Sequence, residues 1–485
     1  MLFNSAPFLF FFPAVTIAYF LYPPQFRWAL LLVASCVFYM WFIPQYLLVL
    51  FLLIGIDYGM GIWIEEARIK GAYAKQYLII SIVATCSVLF VFKYFNFFTS
   101  NLSALGGFFG LHYPPKIINL ILPIGLSFHT FQSLSYVIEV YRGRQKAEHH
   151  FGIYALYVMF YPQLVAGPIE RPYNLIPQLR QKHDVDYQRI ADALKLMAWG
   201  MFKKVVIADR LSALVDQVYG DVHSYQGPQI VLATIFFAVQ IYCDFSGYCD
   251  IAIGSAQAMG YRLTNNFNFP FFSRSMAEYW NRWNISFFSW LKDYIYFPLC
   301  QSRSLRNNRA VNILIVFLLS GLWHGAAWTY VVWGAINGLY LVFSWWTRKA
   351  RESIYKFIGL DEENFFLKLW QTAACFSLFC FAGIFFRAKS LDEAFYIITR
   401  LPQGWGSGVL KNCYMSLGFD KEWWPLTFEI LAILFFMDLL QKNAKGQFVF
   451  AKYPAWVRWT YYYGLVLAII FWGNYGRNPF IYFQF

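Results

Sequence analysis

Residues 311–346 read VNILIVFLLSGLWHGAAWTYVVWGAINGLYLVFSWW, a run of 36 positions without Asp, Glu, Lys or Arg. A straight helix crosses a bilayer with about 20 apolar residues. So long an uncharged run therefore reads as two helical segments with a break between them. The break is placed at Gly321-Leu322-Trp323-His324-Gly325, where two glycines bracket a histidine. His324 lies 13 residues into the run, roughly 20 Å at about 1.5 Å of rise per residue. An ionisable side chain at that depth is costly and tends to face a cavity or a partner. Two readings of His324 follow: a histidine bonded to a neighbouring helix for structure, or a functional group held inside the membrane.

The rest of the composition agrees with a lipid setting. Of 485 residues, 59% are hydrophobic and only 13% charged, against about 25% charged in an ordinary soluble domain. Aromatic residues reach 22%, and Trp and Tyr are favoured where membrane meets water. The net charge of +13 sits mostly in short loops between apolar runs. It reads as membrane topology, and nucleic-acid binding is not expected. The eight cysteines form no CxxC pair, so they read as small buried hydrophobes and no metal site is expected.

Apolar runs recur from end to end, most clearly at 6–26, 28–56, 76–92 and 117–138. With the bilayer as ruler, the chain is expected to be an all-α polytopic membrane protein of about 11–13 membrane helices, plus interfacial or re-entrant helices. Asp57 interrupts the second of two short spans read over 28–64. The loops carrying Arg68, Lys70 and Lys75, and then Arg142, Arg144 and Lys146, are expected to be cytoplasmic, which puts the N-terminus outside. The polar stretches 170–193 and 387–424 are too short for soluble domains. No internal repeat is visible, so residues 1–485 are expected to form one membrane domain. No basic region precedes the first apolar run, so it is expected to remain in the mature protein.

Three further features carry polar chemistry. In Glu278–Tyr294, EYWNRWNISFFSWLKDY, the residues Trp280, Trp283, Phe287, Trp290 and Tyr294 recur at spacings of three and four. They predict one aromatic stripe on one amphipathic helix, with Arg282, Ser286, Ser289 and Asp293 on another face and Asn284 between them. Asp244 and Asp250 interrupt an apolar region. They read as an acid/base pair or metal ligands, or as capping groups around a break at Gly247. Lys203-Lys204, with Arg210, reads as a phosphate contact or a cytoplasmic boundary. Of the other histidines, His129 lies in an apolar run, His112 in an outside loop, and His149, His150, His183 and His223 in polar loops.

These motifs, taken in order, resemble the membrane-bound O-acyltransferase family, in its bacterial branch that holds the alginate O-acetyltransferase membrane subunit. The likeness runs almost the whole chain. It includes Met1-Leu2-Phe3-Asn4-Ser5, Leu122–Phe128 (LPIGLSF), Pro162–Ile169 (PQLVAGPI), Lys203-Lys204 to Asp209, and Asp244-Phe245-Ser246-Gly247-Tyr248. The helix Trp280–Tyr294, Gly321–Gly325 and the closing Phe480–Phe485 (FIYFQF) complete it.

The resemblance implies a membrane fold with a central funnel or tunnel, and O-acetyl transfer from a cytoplasmic donor, acetyl-CoA, with no permanently bound cofactor. It implies that His324 is the catalytic residue and that Asn284 occupies the second signature position. Many bacterial relatives carry Arg-Trp-His there, whereas this chain has Arg282-Trp283-Asn284. An amide is no general base, so Asn284 is left to orient a group or to donate a hydrogen bond to a developing oxyanion. His324 then accepts the proton of the attacking hydroxyl, a task that suits a neutral imidazole near pH 7. The resemblance also implies residence in a bacterial inner membrane, a periplasmic or membrane-anchored acetyltransferase partner, and a polysaccharide acceptor of alginate type. Peptidoglycan and D-alanyl transfer to teichoic acid are alternatives. A transporter or channel is the reading from another class, and the lack of a repeat speaks against it.

Overall fold

The computed structural model describes residues 1–111, 114–359, 361, 363–406, 409, 417–443, 453–475 and 480–481. His112 and Cys413 fall outside the described residues. Among the described residues there are helices and no strand, only an isolated antiparallel bridge between Phe267 and Trp283. The chain is an all-α polytopic membrane protein. Five helical runs are long and apolar enough to cross a bilayer among the described residues: Tyr46–Ile69, Lys75–Phe108, Gly227–Met259, Phe365–Arg387 and Trp423–Asn443. Ala6–Leu21, Pro24–Met40 and Arg309–His324 are apolar but shorter.

The chain falls into two compact units, Met1–Met197 with Tyr248–Thr264, and Ala198–Gly247 with Asn265–Phe485. In the first unit, α1 (Ala6–Leu21), α2 (Arg27–Met40), α3 (Tyr46–Ile69) and α4 (Lys75–Leu89) follow the apolar runs. The carboxylate of Asp57, fully buried in α3, accepts hydrogen bonds from Ser81 at 2.6 Å and Thr85 at 3.2 Å, both on α4. That pairing makes a carboxylate tolerable inside an apolar helix, since a buried polar group without partners costs several kcal/mol. The opening residues are core rather than tail: Phe3 packs on Phe8 at 4.7 Å and on Tyr248 at 4.6 Å. Gly125, in the LPIGLSF motif, has φ +79° just before α5 (Leu126–Arg142). A Cβ there would stand 2.8 Å from the Leu164 carbonyl oxygen. The motifs 122–128 and 162–169 are therefore two sides of one close backbone contact that only glycine allows. His129, on α5, is 2% exposed, and neither ring nitrogen has a hydrogen-bond partner among the described residues.

In the second unit a widened, π-helical turn over Phe202–Ala208 buries Lys203 and Lys204. Both lysines are buried, which corrects the reading of the pair as a phosphate contact. Lys204 Nζ lies 2.8 Å from Asp209 and 2.7 Å from Asp244. Lys203 donates to Ser246 at 2.9 Å. The backbone N–H of Ile481 donates to the second oxygen of Asp244 at 2.7 Å, and Asn474 donates to the Val205 carbonyl at 2.9 Å. Ile481 is thus tied to the ion cluster of the second unit. No break occurs at Gly247, because helix α6 (Gly227–Met259) runs through it. A Cβ at Gly247 would stand 2.6 Å from the Gly200 carbonyl oxygen, so its lack of a side chain serves close packing.

Candidate active site

The run 311–346 breaks where its glycines predict. Helix α7 (Arg309–His324) ends on the histidine, residues 325–327 are extended or bent, and α8 (Trp328–Trp346) follows. Asn308 caps α7 by accepting from the Val311 N–H at 3.3 Å. His324 is the sixteenth and last residue of α7, about 22 Å along the axis from Arg309 at 1.5 Å per residue. The glycines are dictated by the second helix. A Cβ on Gly321 would lie 2.2 Å from the Tyr330 carbonyl oxygen, and one on Gly325 would lie 2.1 Å from the Tyr330 ring. Gly334, on α8, repeats the pattern against the Phe317 carbonyl at 2.3 Å. The two helices therefore meet backbone to backbone, and that contact fixes the end of α7 and the imidazole on it.

Aromatic rings enclose the imidazole. His324 is 6% exposed. Its ring stands edge-on to Trp333 at 4.9 Å and to Phe386 at 5.1 Å, and it meets Phe287 at 6.0 Å. Phe386 lies on α9 (Phe365–Arg387). A cavity beside His324, with about 20 Å³ open to a water-sized group, is walled by Trp280, Trp283, Trp333, Phe379, Cys380 and Phe386, with α6 closing it through Phe237 and Ile241. Among the described residues, no carboxylate and no cation lines it.

The aromatic stripe predicted over 278–294 does not lie on one helix. The chain forms Met276–Arg282, breaks at Trp283-Asn284, and resumes as Ile285–Leu291. Pairing overrides periodicity there. Asn268 donates to the Arg282 carbonyl at 2.9 Å, Ile285 donates to the Asn266 carbonyl at 3.0 Å, and Ser286 donates to the Asn266 side chain at 3.1 Å. Asn284, 1% exposed, is left with φ +45° and ψ +54°. Asn and His are among the few side-chain-bearing residues enriched in that left-handed region. One turn on, Phe287 carries the ring that meets His324. Asn284 thus has a backbone reason for its identity, and it is not among the residues walling the cavity.

A prediction separates the backbone from the amide. Asn284→Gly keeps the turn and is expected to retain most activity. Asn284→Ala, strained by about 1–2 kcal/mol in this conformation, is expected to melt lower and to lose activity. The check is a thermal midpoint and an initial rate for each variant. Equal inactivation of both would show that the amide itself is required.

Trp333 and Phe386 were not singled out in the sequence, since each sits in an apolar run and carries no polar signal. Trp280 stood out there only as part of a stripe. Asp244 is held in the ion cluster with Lys204. His149 pairs with Glu65 at 3.1 Å, His150 caps a helix by accepting from Ile153, and His183 is hydrogen-bonded to the Gln178 carbonyl at 3.0 Å. Among the described residues, no group of three or more His, Cys, Asp and Glu side chains is placed to hold a metal ion.

Residues 144–359 match the family described as MBOAT, membrane-bound O-acyltransferase family. The chain is 37% identical over 396 residues to a probable alginate O-acetylase AlgI of Pseudomonas aeruginosa, covering 81% of this chain and 73% of that protein. It is 32% identical over 452 residues to a peptidoglycan O-acetyltransferase of Helicobacter pylori, covering 86% of this chain and 82% of that protein. It is 26% identical over 293 residues to a teichoic acid D-alanyltransferase of Bacillus subtilis, covering 56% of this chain and 71% of that protein.

Proposed function

The chain belongs to the membrane-bound O-acyltransferase family, and from that premise we propose that it moves an acetyl group from cytoplasmic acetyl-CoA toward a cell-surface polysaccharide of alginate type, with His324 as general base. The observation that carries the reading is a buried imidazole at the end of an apolar helix, beside a small cavity walled by apolar rings. In the proposed reaction His324 takes the proton of the acceptor hydroxyl as its oxygen attacks the thioester carbonyl carbon. The carbonyl electron pair moves to oxygen. On collapse the C=O bond re-forms, the C–S bond breaks, and the CoA thiolate takes the proton back from the imidazolium. A periplasmic or membrane-anchored acetyltransferase receives the group and passes it to the glycan, in a bacterial inner membrane with the N-terminus outside. Asn284 acts as a positioning residue through its backbone.

The cavity favours acetyl over D-alanyl. Its free space suits one methyl group, since about 10–15 Å³ holds a water-sized group. A D-alanyl group adds an ammonium, and among the described residues no carboxylate lines the cavity to pair with it. An added methylene must displace packed rings, at about 1–3 kcal/mol. Propionyl-CoA is therefore expected to be used at least about 10-fold less well than acetyl-CoA in kcat/KM. Steady-state rates with the two thioesters provide the check. Equal use would show that the acyl chain does not enter this cavity.

A further inference from the structure

Trp280 carries an indole N–H that the packing leaves without an acceptor. The residue is 4% exposed, its ring walls the cavity shared with His324, and its Nε1 has no hydrogen-bond partner among the described residues. The indole nitrogen is a donor only, and a buried donor without an acceptor costs about 1–3 kcal/mol. Rings on several sides fix the indole. It stands edge-on to Trp333 at 5.7 Å and to Phe317 at 5.6 Å, and it lies against Phe288 at 4.5 Å. Trp333 also stands edge-on to the imidazole of His324 at 4.9 Å. One ring therefore sets the places of both polar groups beside the cavity.

We propose that the indole N–H of Trp280 is the hydrogen-bond donor to the acyl carbonyl oxygen, a further catalytic residue that holds the oxyanion while His324 moves the proton. This rests on the acyl-transfer reading given above. Among the described residues, the other nitrogen-bearing side chains on the cavity wall are His324, Trp283 and Trp333. His324 is occupied with the proton, and among the three tryptophans Trp280 is the one whose N–H is buried without a partner. A donor fixed in an apolar site meets developing charge without reorganising, and such donors contribute most when the charge appears. The proposal gives that task to Trp280 rather than to the Asn284 amide.

Two variants test it in native membranes, which carry acceptor and partner, with acetyl-CoA as the probe. Trp280→Phe removes the N–H and keeps an aromatic ring. Replacement of Trp280 by benzothienylalanine exchanges the N–H for sulfur and keeps the bicyclic shape, so it controls for packing. Both are expected to lower kcat by about 10² while KM for acetyl-CoA stays within about twofold. A kcat within about threefold of the parent in the benzothienyl variant would overturn the proposal. So would a raised KM with kcat unchanged, because that would make Trp280 a binding wall only. His324→Ala, run alongside, separates the two claims. If His324→Ala is inactive while the benzothienyl variant is active, only the role of Trp280 fails. If His324→Ala is active, the acyl-transfer reading of the site fails first.

Discussion

His324→Ala is expected to abolish polysaccharide acetylation while the protein still inserts and accumulates. Loss of a positioned general base costs about 10²–10⁴ in rate, and among the described residues no second histidine walls the cavity to replace it. The fold should survive, because the backbone contact that ends α7 is made by Gly321, Gly325 and Gly334 and not by the imidazole. Acetyl content of the surface polysaccharide, read beside the amount of protein in the membrane fraction, gives the answer. Substantial acetylation by the alanine variant at normal protein levels would remove His324 from the mechanism.

The second large effect concerns stability. Lys204→Met is expected to cost about 3–5 kcal/mol, because it leaves two buried carboxylates, Asp209 and Asp244, without their shared cation. The Lys204 variant should therefore melt well below the parent protein in the same detergent. Coincident melting of the two would show that the cluster around Asp244 does not hold the second unit together.

The break after His324 was legible because composition and glycine act on the same stretch: a run too long for one helix, with residues that permit close approach at its middle. The reason for those glycines was not legible, since it is the carbonyl and ring of Tyr330 and the carbonyl of Phe317, supplied across the hairpin. Periodicity misread 278–294, where four spacings of three and four suggested a continuous helix. The hydrogen bonds from Asn266 and Asn268 that stop it come from a loop with no pattern of its own. Lys203 and Lys204 looked like surface charge because charge near an apolar run usually is. Their burial depends on Asp244 and Ser246 arriving from helix α6 beside the nearby Asp209, and spacing along a chain does not encode the arrival of α6. The walls of the cavity were hidden for a related reason. In a chain with 53 Phe and 19 Trp, a ring beside the imidazole carries no mark that distinguishes it from a ring facing lipid.

The central claim is that this membrane domain itself passes an acetyl group from a cytoplasmic thioester through the site at His324. Its most direct test uses purified protein in proteoliposomes, with labelled acetyl-CoA on the face carrying the 142–146 loop and the partner acetyltransferase with its glycan on the other. The account predicts label on the partner or glycan with the parent protein, and none with His324→Ala reconstituted at the same density. Equal labelling by the two proteins, or no labelling by the parent, would contradict it.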